Sequence, residues 1–94
     1  MTKDYLNYLI DCIFKILPLK EEENIGLTEY IDSVIIQFIG AKDVYVDLYN
    51  NQKYMSILNI LYYLKNNEFT SKQCKREVFK CINILKCILK TYDE

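Results

Sequence analysis

The chain has no histidine and no tryptophan, and its 94 residues include only one proline and two glycines. Without histidine, Ser-His-Asp and Cys-His nucleophiles lack their general base, and zinc sites lose their usual nitrogen ligand. With Gly26 and Gly40 as the only glycines, no glycine-rich phosphate loop can form. Low-complexity linkers, which need runs of glycine, serine or proline, are excluded as well. No apolar run reaches the roughly 20 residues that a membrane-spanning helix needs. The first apolar stretch, residues 5–17, is broken by Asn7, Asp11 and Lys15 and has no small-residue cleavage site. No secretory signal is therefore expected, and a cytoplasmic location follows as an expectation.

What is present is apolar mass. Hydrophobic residues make up 51% of the chain, enough for one dense core in a domain that buries only about 60–65% of its unfolded surface. Residues 1–94 read as a single domain. The surplus of isoleucine, lysine, asparagine and tyrosine is what an AT-rich gene encodes, so many of these residues need no functional explanation. Four cysteines in a chain without a secretory signal read as reduced thiols. Cys74 and Cys81 share a helical face, Cys87 points about 240° away from Cys81, and Cys12 belongs to another helix. No C-x-x-C pair occurs, so neither metal nor any other cofactor is expected, and the thiols read as small core hydrophobes.

Apolar spacing of three and four residues recurs along the chain. A first helix is expected over residues 2–17, with Leu6, Leu9, Ile10, Ile13, Ile16 and Leu17 on one stripe and Pro18 ending it. Residues 19–26 read as a loop. A second helix follows over 27–39, closed by Gly40. Residues 41–51 are ambiguous. Val44, Val46 and Leu48 alternate as in a strand, yet no partner strand is evident, so a short helix or an irregular connection is preferred. A third helix is expected over 51–65, with Ile57, Ile60, Leu61 and Leu64 in the core and Tyr54 and Leu58 on its shoulder. Thr70 and Gln73 form a capping box that opens a fourth helix running to about residue 91. The fold class is all-α: a compact antiparallel bundle of four main helices, with room for a short extra helix around 41–50.

Charge divides the chain. Residues 1–52 carry four lysines against nine acids, a net −5, whereas residues 53–94 carry eight bases against four acids, a net +4. The acidic candidates for partner binding are Glu21, Glu22, Glu23, Glu29, Asp32, Asp43 and Asp47, interleaved with Tyr45 and Tyr49. As catalytic carboxylates they read as surface residues, and acids at a helix start also complement its dipole, so no enzyme is expected. Set beside tyrosines, they suit a partner with a basic cleft, because acidic surfaces steer association with such clefts. The fourth helix carries the opposite sign: Lys72, Lys75, Arg76, Lys80, Lys86 and Lys90 lie away from a stripe of Cys74, Val78, Cys81, Ile82, Leu85, Ile88 and Leu89. Phe79 and Cys87 fall on that basic side. Either the bundle covers them or they anchor a partner, a nucleic acid or a second copy of the chain.

The size, the lack of catalytic residues and the helical pattern resemble small α-helical immunity proteins, those encoded beside bacterial contact-dependent and other polymorphic toxins. The segments that carry the resemblance are LKEEENIGLTEYIDSVI (residues 19–35) and CKREVFKCINILK (residues 74–86). It implies tight binding to one cognate toxin, with the chain a monomer alone and a heterodimer with its target. No functional residue is carried over from it. Two other readings remain open: a small phage or mobile-element regulator that binds nucleic acid through the basic side of the fourth helix, and a structural bundle self-associating through Phe79 and Cys87.

Overall fold

The computed structural model describes residues 3–45, 48 and 50–91. Among them are five helices: α1 (Lys3–Phe14), α2 (Ile16–Glu21), α3 (Leu27–Val44), α4 (Gln52–Asn66) and α5 (Ser71–Lys90), with no strand. The described residues form an all-α bundle of four long helices and one short one.

Pro18 does not end the first helix. The break falls at Lys15, and Pro18 is the third residue of α2. Proline has no N–H and its ring crowds the carbonyl four residues back. That carbonyl belongs to Phe14, the last residue of α1, so the helix bends there and resumes. Residues 19–21, expected in a loop, are therefore helical. Gly40 likewise lies inside α3, without a positive φ. A mid-helix glycine costs about 1 kcal/mol against alanine. Its neighbours Phe38 and Ala41 are both buried, and that packing outweighs the cost. α3 ends four residues later, where Tyr45 turns extended. Of the ambiguous stretch, residues 41–44 are the last turn of α3 and Leu48 is buried; Val46, Asp47 and Tyr49 lie outside the described residues.

The later boundaries follow local chemistry. Asn51 caps α4 by accepting a hydrogen bond from the Tyr54 N–H at 3.1 Å. The Thr70–Gln73 capping box is formed in both directions, at 3.1 and 2.8 Å. Tyr54 and Leu58 are core residues rather than shoulder residues, whereas Ile60 is only half-buried. The Tyr54 hydroxyl donates to the Phe38 carbonyl at 2.8 Å, and the two rings lie 5.3 Å apart. This bond lets a full-sized phenol sit in the core without an unpaired hydroxyl.

Cross-helix contacts give the directions. Tyr8 meets Gln37 and Cys12 meets Tyr30, so α1 and α3 run antiparallel. Tyr54 meets Phe38 and Lys65 meets Asp32, so α3 and α4 do too. α5 packs against α1, α2 and α4, and α3 against α1, α2 and α4. The long helices thus form a ring in the order α1, α5, α4, α3, with α2 wedged between α3 and α5. The ring encloses Leu6, Leu9, Ile13, Phe38, Ile57, Leu61 and Leu85, all fully buried. No described residue with a polar or charged side chain other than Tyr54 is buried.

Candidate partner-binding surface

The acidic candidates separate into two groups. Glu21, Glu22, Glu23, Glu29 and Asp32 lie around the turn from α2 to α3, whereas Asp43 and Tyr45 lie at the far end of α3. Glu29 and Asp43 are 14 residues apart, which is about 21 Å along the helix axis. Asp47 and Tyr49 fall outside the described residues. Two of the acids are paired within the molecule. Asp32 accepts from the Lys65 ammonium at 2.6 Å, and Glu21 lies 3.7 Å from Lys75. Among the described residues, Glu22, Glu23, Glu29 and Asp43 form no ion pair.

The α2–α3 turn is closely built. The Asn24 N–H bonds the Leu19 carbonyl and the Glu23 N–H bonds the Lys20 carbonyl, both at 3.0 Å. This is the double closure of a Schellman motif, whose left-handed position normally takes glycine. Here Glu23 occupies it, with φ 51°. Asn24 Oδ1 then accepts from the Gly26 N–H at 2.7 Å, and Ile25 stands 100% exposed at the apex. Beside the turn opens a cleft of about 410 Å³, running to the α4–α5 connection.

A second surface emerges where α1 meets α3. The Tyr5 hydroxyl donates to Gln37 Oε1 at 3.5 Å, and Gln37 Nε2 donates to the Tyr8 hydroxyl at 3.0 Å. Below them the Tyr30 hydroxyl donates to the Cys12 carbonyl at 2.6 Å. The Tyr5 ring lies 5.7 Å from that of Tyr8 and 6.1 Å from that of Tyr45. One glutamine thus holds two tyrosines in place, and a third ring leans on them. Burial raises the pKa of Tyr5, with smaller contributions from Tyr45 and Cys12. A hydrogen bond with the Cys12 thiol raises that of Tyr8, and burial pushes Tyr30 up to about 12. All three remain neutral hydroxyls near pH 7.

Helical spacing extends this seam into a face. On α1, Asp4, Tyr8 and Asp11 fall within about 60° of one another; on α3, Glu29, Ser33, Ile36, Gly40, Asp43 and Val44 fall within about 100°. Tyr8 is 44% exposed, Ile36 63% and Val44 71%. Asp4 and Asp11, like Glu29 and Asp43, have no ion-pair partner among the described residues. Asp4, Tyr5, Tyr8, Asp11, Ile36 and Gln37 are not among the residues the sequence singled out for binding. A signal was present in Ile36, an isoleucine lying off the apolar arc of its own helix.

The basic side of α5 is arranged differently. Phe79 is not covered by the bundle: it remains 45% exposed and meets the exposed Phe14 edge to face at 5.9 Å. Cys87 is exposed too, in a shallow cleft with Asn51, Gln52 and Lys53. Both residues lie on the solvent side because Cys74, Val78, Cys81 and Leu85 already fill the inward arc of α5. Around Phe79 the cations are partly neutralised. Glu77 lies 3.1 Å from Arg76 and 3.6 Å from Lys80, and Glu21 takes Lys75.

Burial raises the pKa of the Cys74 thiol and pushes that of Cys81 up to about 12, so both stay protonated and poorly nucleophilic. Among the described residues no group of three or more cysteines and carboxylates is placed to hold a metal ion. No described helix is long and apolar enough to cross a membrane. Comparisons with models of known families, with curated proteins and with solved structures find no match, so the functional reading rests on the side chains themselves.

Proposed function

We propose that this chain is a non-catalytic protein-binding module, an immunity-type inhibitor that neutralises a cognate bacterial toxin in the cytoplasm by covering its basic cleft. The observation that carries the reading is the α1–α3 face. It sets exposed apolar and tyrosine side chains among carboxylates that have no ion-pair partner among the described residues. Tyrosines at such a face bury large area at low entropic cost, and their hydroxyls can satisfy polar groups on a partner. Gln37 holds Tyr5 and Tyr8 in position before binding, which lowers the cost of ordering them. The free carboxylates add long-range attraction to a cleft built for a polyanionic substrate, as in a nuclease.

The test is capture of the partner from the source cell, then titration. Asp4→Lys with Asp11→Lys should slow association and flatten its dependence on salt, because steering charges act mainly on the on-rate. Unchanged association would rule out the α1–α3 face as the binding surface.

A second reading is favoured by the exposed Phe14–Phe79 pair: self-association of the bundle through Phe79 and Cys87. It predicts a dimer in sedimentation that Phe79→Ala converts to a monomer. A monomer at high concentration would end it.

A further inference from the structure

We propose that the cleft beside the α2–α3 turn receives a cationic side chain, an arginine or lysine, from the protein partner. The inference rests on the protein-binding reading above and gives that partner's contact a chemistry.

The cleft measures about 410 Å³, within the range of sites that enclose a small ligand or a long side chain. Its floor is apolar. Ile31 and Leu64 lie at the bottom, almost without solvent exposure, and Leu27 and Phe69 form the walls. Such a floor suits the aliphatic stem of arginine or lysine, which buries its methylenes and keeps its head polar.

The rim decides the sign of the head group. Two lysines and two glutamates line it, Lys20, Lys65, Glu23 and Glu68. The lysines are already engaged: Lys65 sits 2.6 Å from Asp32, and the Lys20 ammonium lies 4.7 Å from the centre of the Phe69 ring. Glu23 and Glu68 have no ionic partner among the described residues. Glu22 and Glu29, close in the chain, add to the negative potential. An anion entering the cleft would find Lys65 held by Asp32 and would face Glu23 and Glu68, whereas a cation would find those two carboxylates free to accept its hydrogen bonds. A charge-assisted contact of this kind, made over an apolar floor, is the usual form of an arginine anchor at an interface.

The probe is Nα-acetyl-arginine methylamide, titrated into the full chain while the methyl resonances of Leu27, Ile31 and Leu64 are followed. The matching norleucine and glutamate amides serve as neutral and anionic controls. Saturable shifts are expected with the arginine probe. Affinity should fall by about fivefold or more when Glu23→Gln and Glu68→Gln are combined. Thr28→Tyr, an exposed substitution on the rim, should abolish the shifts by filling the cleft. Equal response to norleucine, preference for glutamate, or no saturable shift would each overturn the proposal. Capture of a toxin whose binding is unaffected by Thr28→Tyr would discard the cleft and leave the binding reading standing. Probe binding with no captured partner would do the reverse.

Discussion

The α1–α3 face and the α5 ridge both expose apolar rings among charges, and they treat those charges in opposite ways. On α1–α3 the carboxylates nearest Tyr8 and Ile36 have no counter-ion among the described residues. On α5 the cations nearest Phe79 are held by Glu77 and Glu21. A charge paired inside its own molecule adds little to attraction at a distance, and surface pairs of this kind contribute only about 0–1 kcal/mol to stability. Charges left open keep their field and can be matched by a partner. Exposure alone would rank the two surfaces as equals. The pairing separates them and puts the proposed binding face on α1–α3.

Both surfaces stand on one core, so the largest effect should come from beneath them. Phe38→Ala removes a fully buried ring that packs on Tyr54, and should cost about 3–5 kcal/mol in urea unfolding. A loss below about 1 kcal/mol would mean that the two surfaces do not share a core.

Binding should distinguish the surfaces next. Tyr8→Ala should weaken the captured partner by about 2 kcal/mol, as for other interface anchors, whereas Phe79→Ala should leave affinity within about 0.5 kcal/mol. The reverse order would exchange the roles of the two surfaces.

High pH should act on the shared core as well as on the α1–α3 seam. Tyr30 has its pKa raised from 10.0 to about 12 by burial, and that of Tyr54 is raised further by the same cause. The fold therefore holds protons that the unfolded chain releases above pH 10. The buried Cys81 thiol, raised from 9.0 to about 12, does the same from pH 9, so stability should be level below pH 9 and fall as pH rises through 12. Tyr30→Phe should make the decline shallower, which a series of thermal melts would show.

Two smaller effects complete the set. Glu23→Gly should stabilise the fold by about 1 kcal/mol in urea unfolding, because glycine adopts the left-handed conformation without strain. Lys75→Ala breaks an exposed pair with Glu21 and should change stability by less than about 0.5 kcal/mol.

What could be read in advance was whatever local spacing controls. The inward stripe of α5 and its capping box depend on residues within one or two turns, and they appear where the spacing puts them. Pro18 and Gly40 misled for different reasons: Pro18 sits in the first turn of α2, where its missing N–H costs no helical bond, and α3 continues past Gly40 to bury Ala41. The candidate surface was legible by residue type but not by arrangement. That Asp32 belongs to Lys65 depends on α3 lying against α4, a contact between residues 33 positions apart. That Tyr5 and Tyr8 belong with Tyr45 depends on α1 lying antiparallel to α3. No periodicity within one helix carries such information.

The most direct test compares two sets of neutralised charges against the captured partner by titration calorimetry at low and moderate salt. One variant combines Asp4→Asn, Asp11→Asn and Asp43→Asn; the other combines Lys72→Gln, Lys86→Gln and Lys90→Gln. The first should lose affinity and most of its salt dependence while the second binds as the parent chain does. Loss confined to the lysine variant would rule out binding through α1–α3 and move the binding surface to α5.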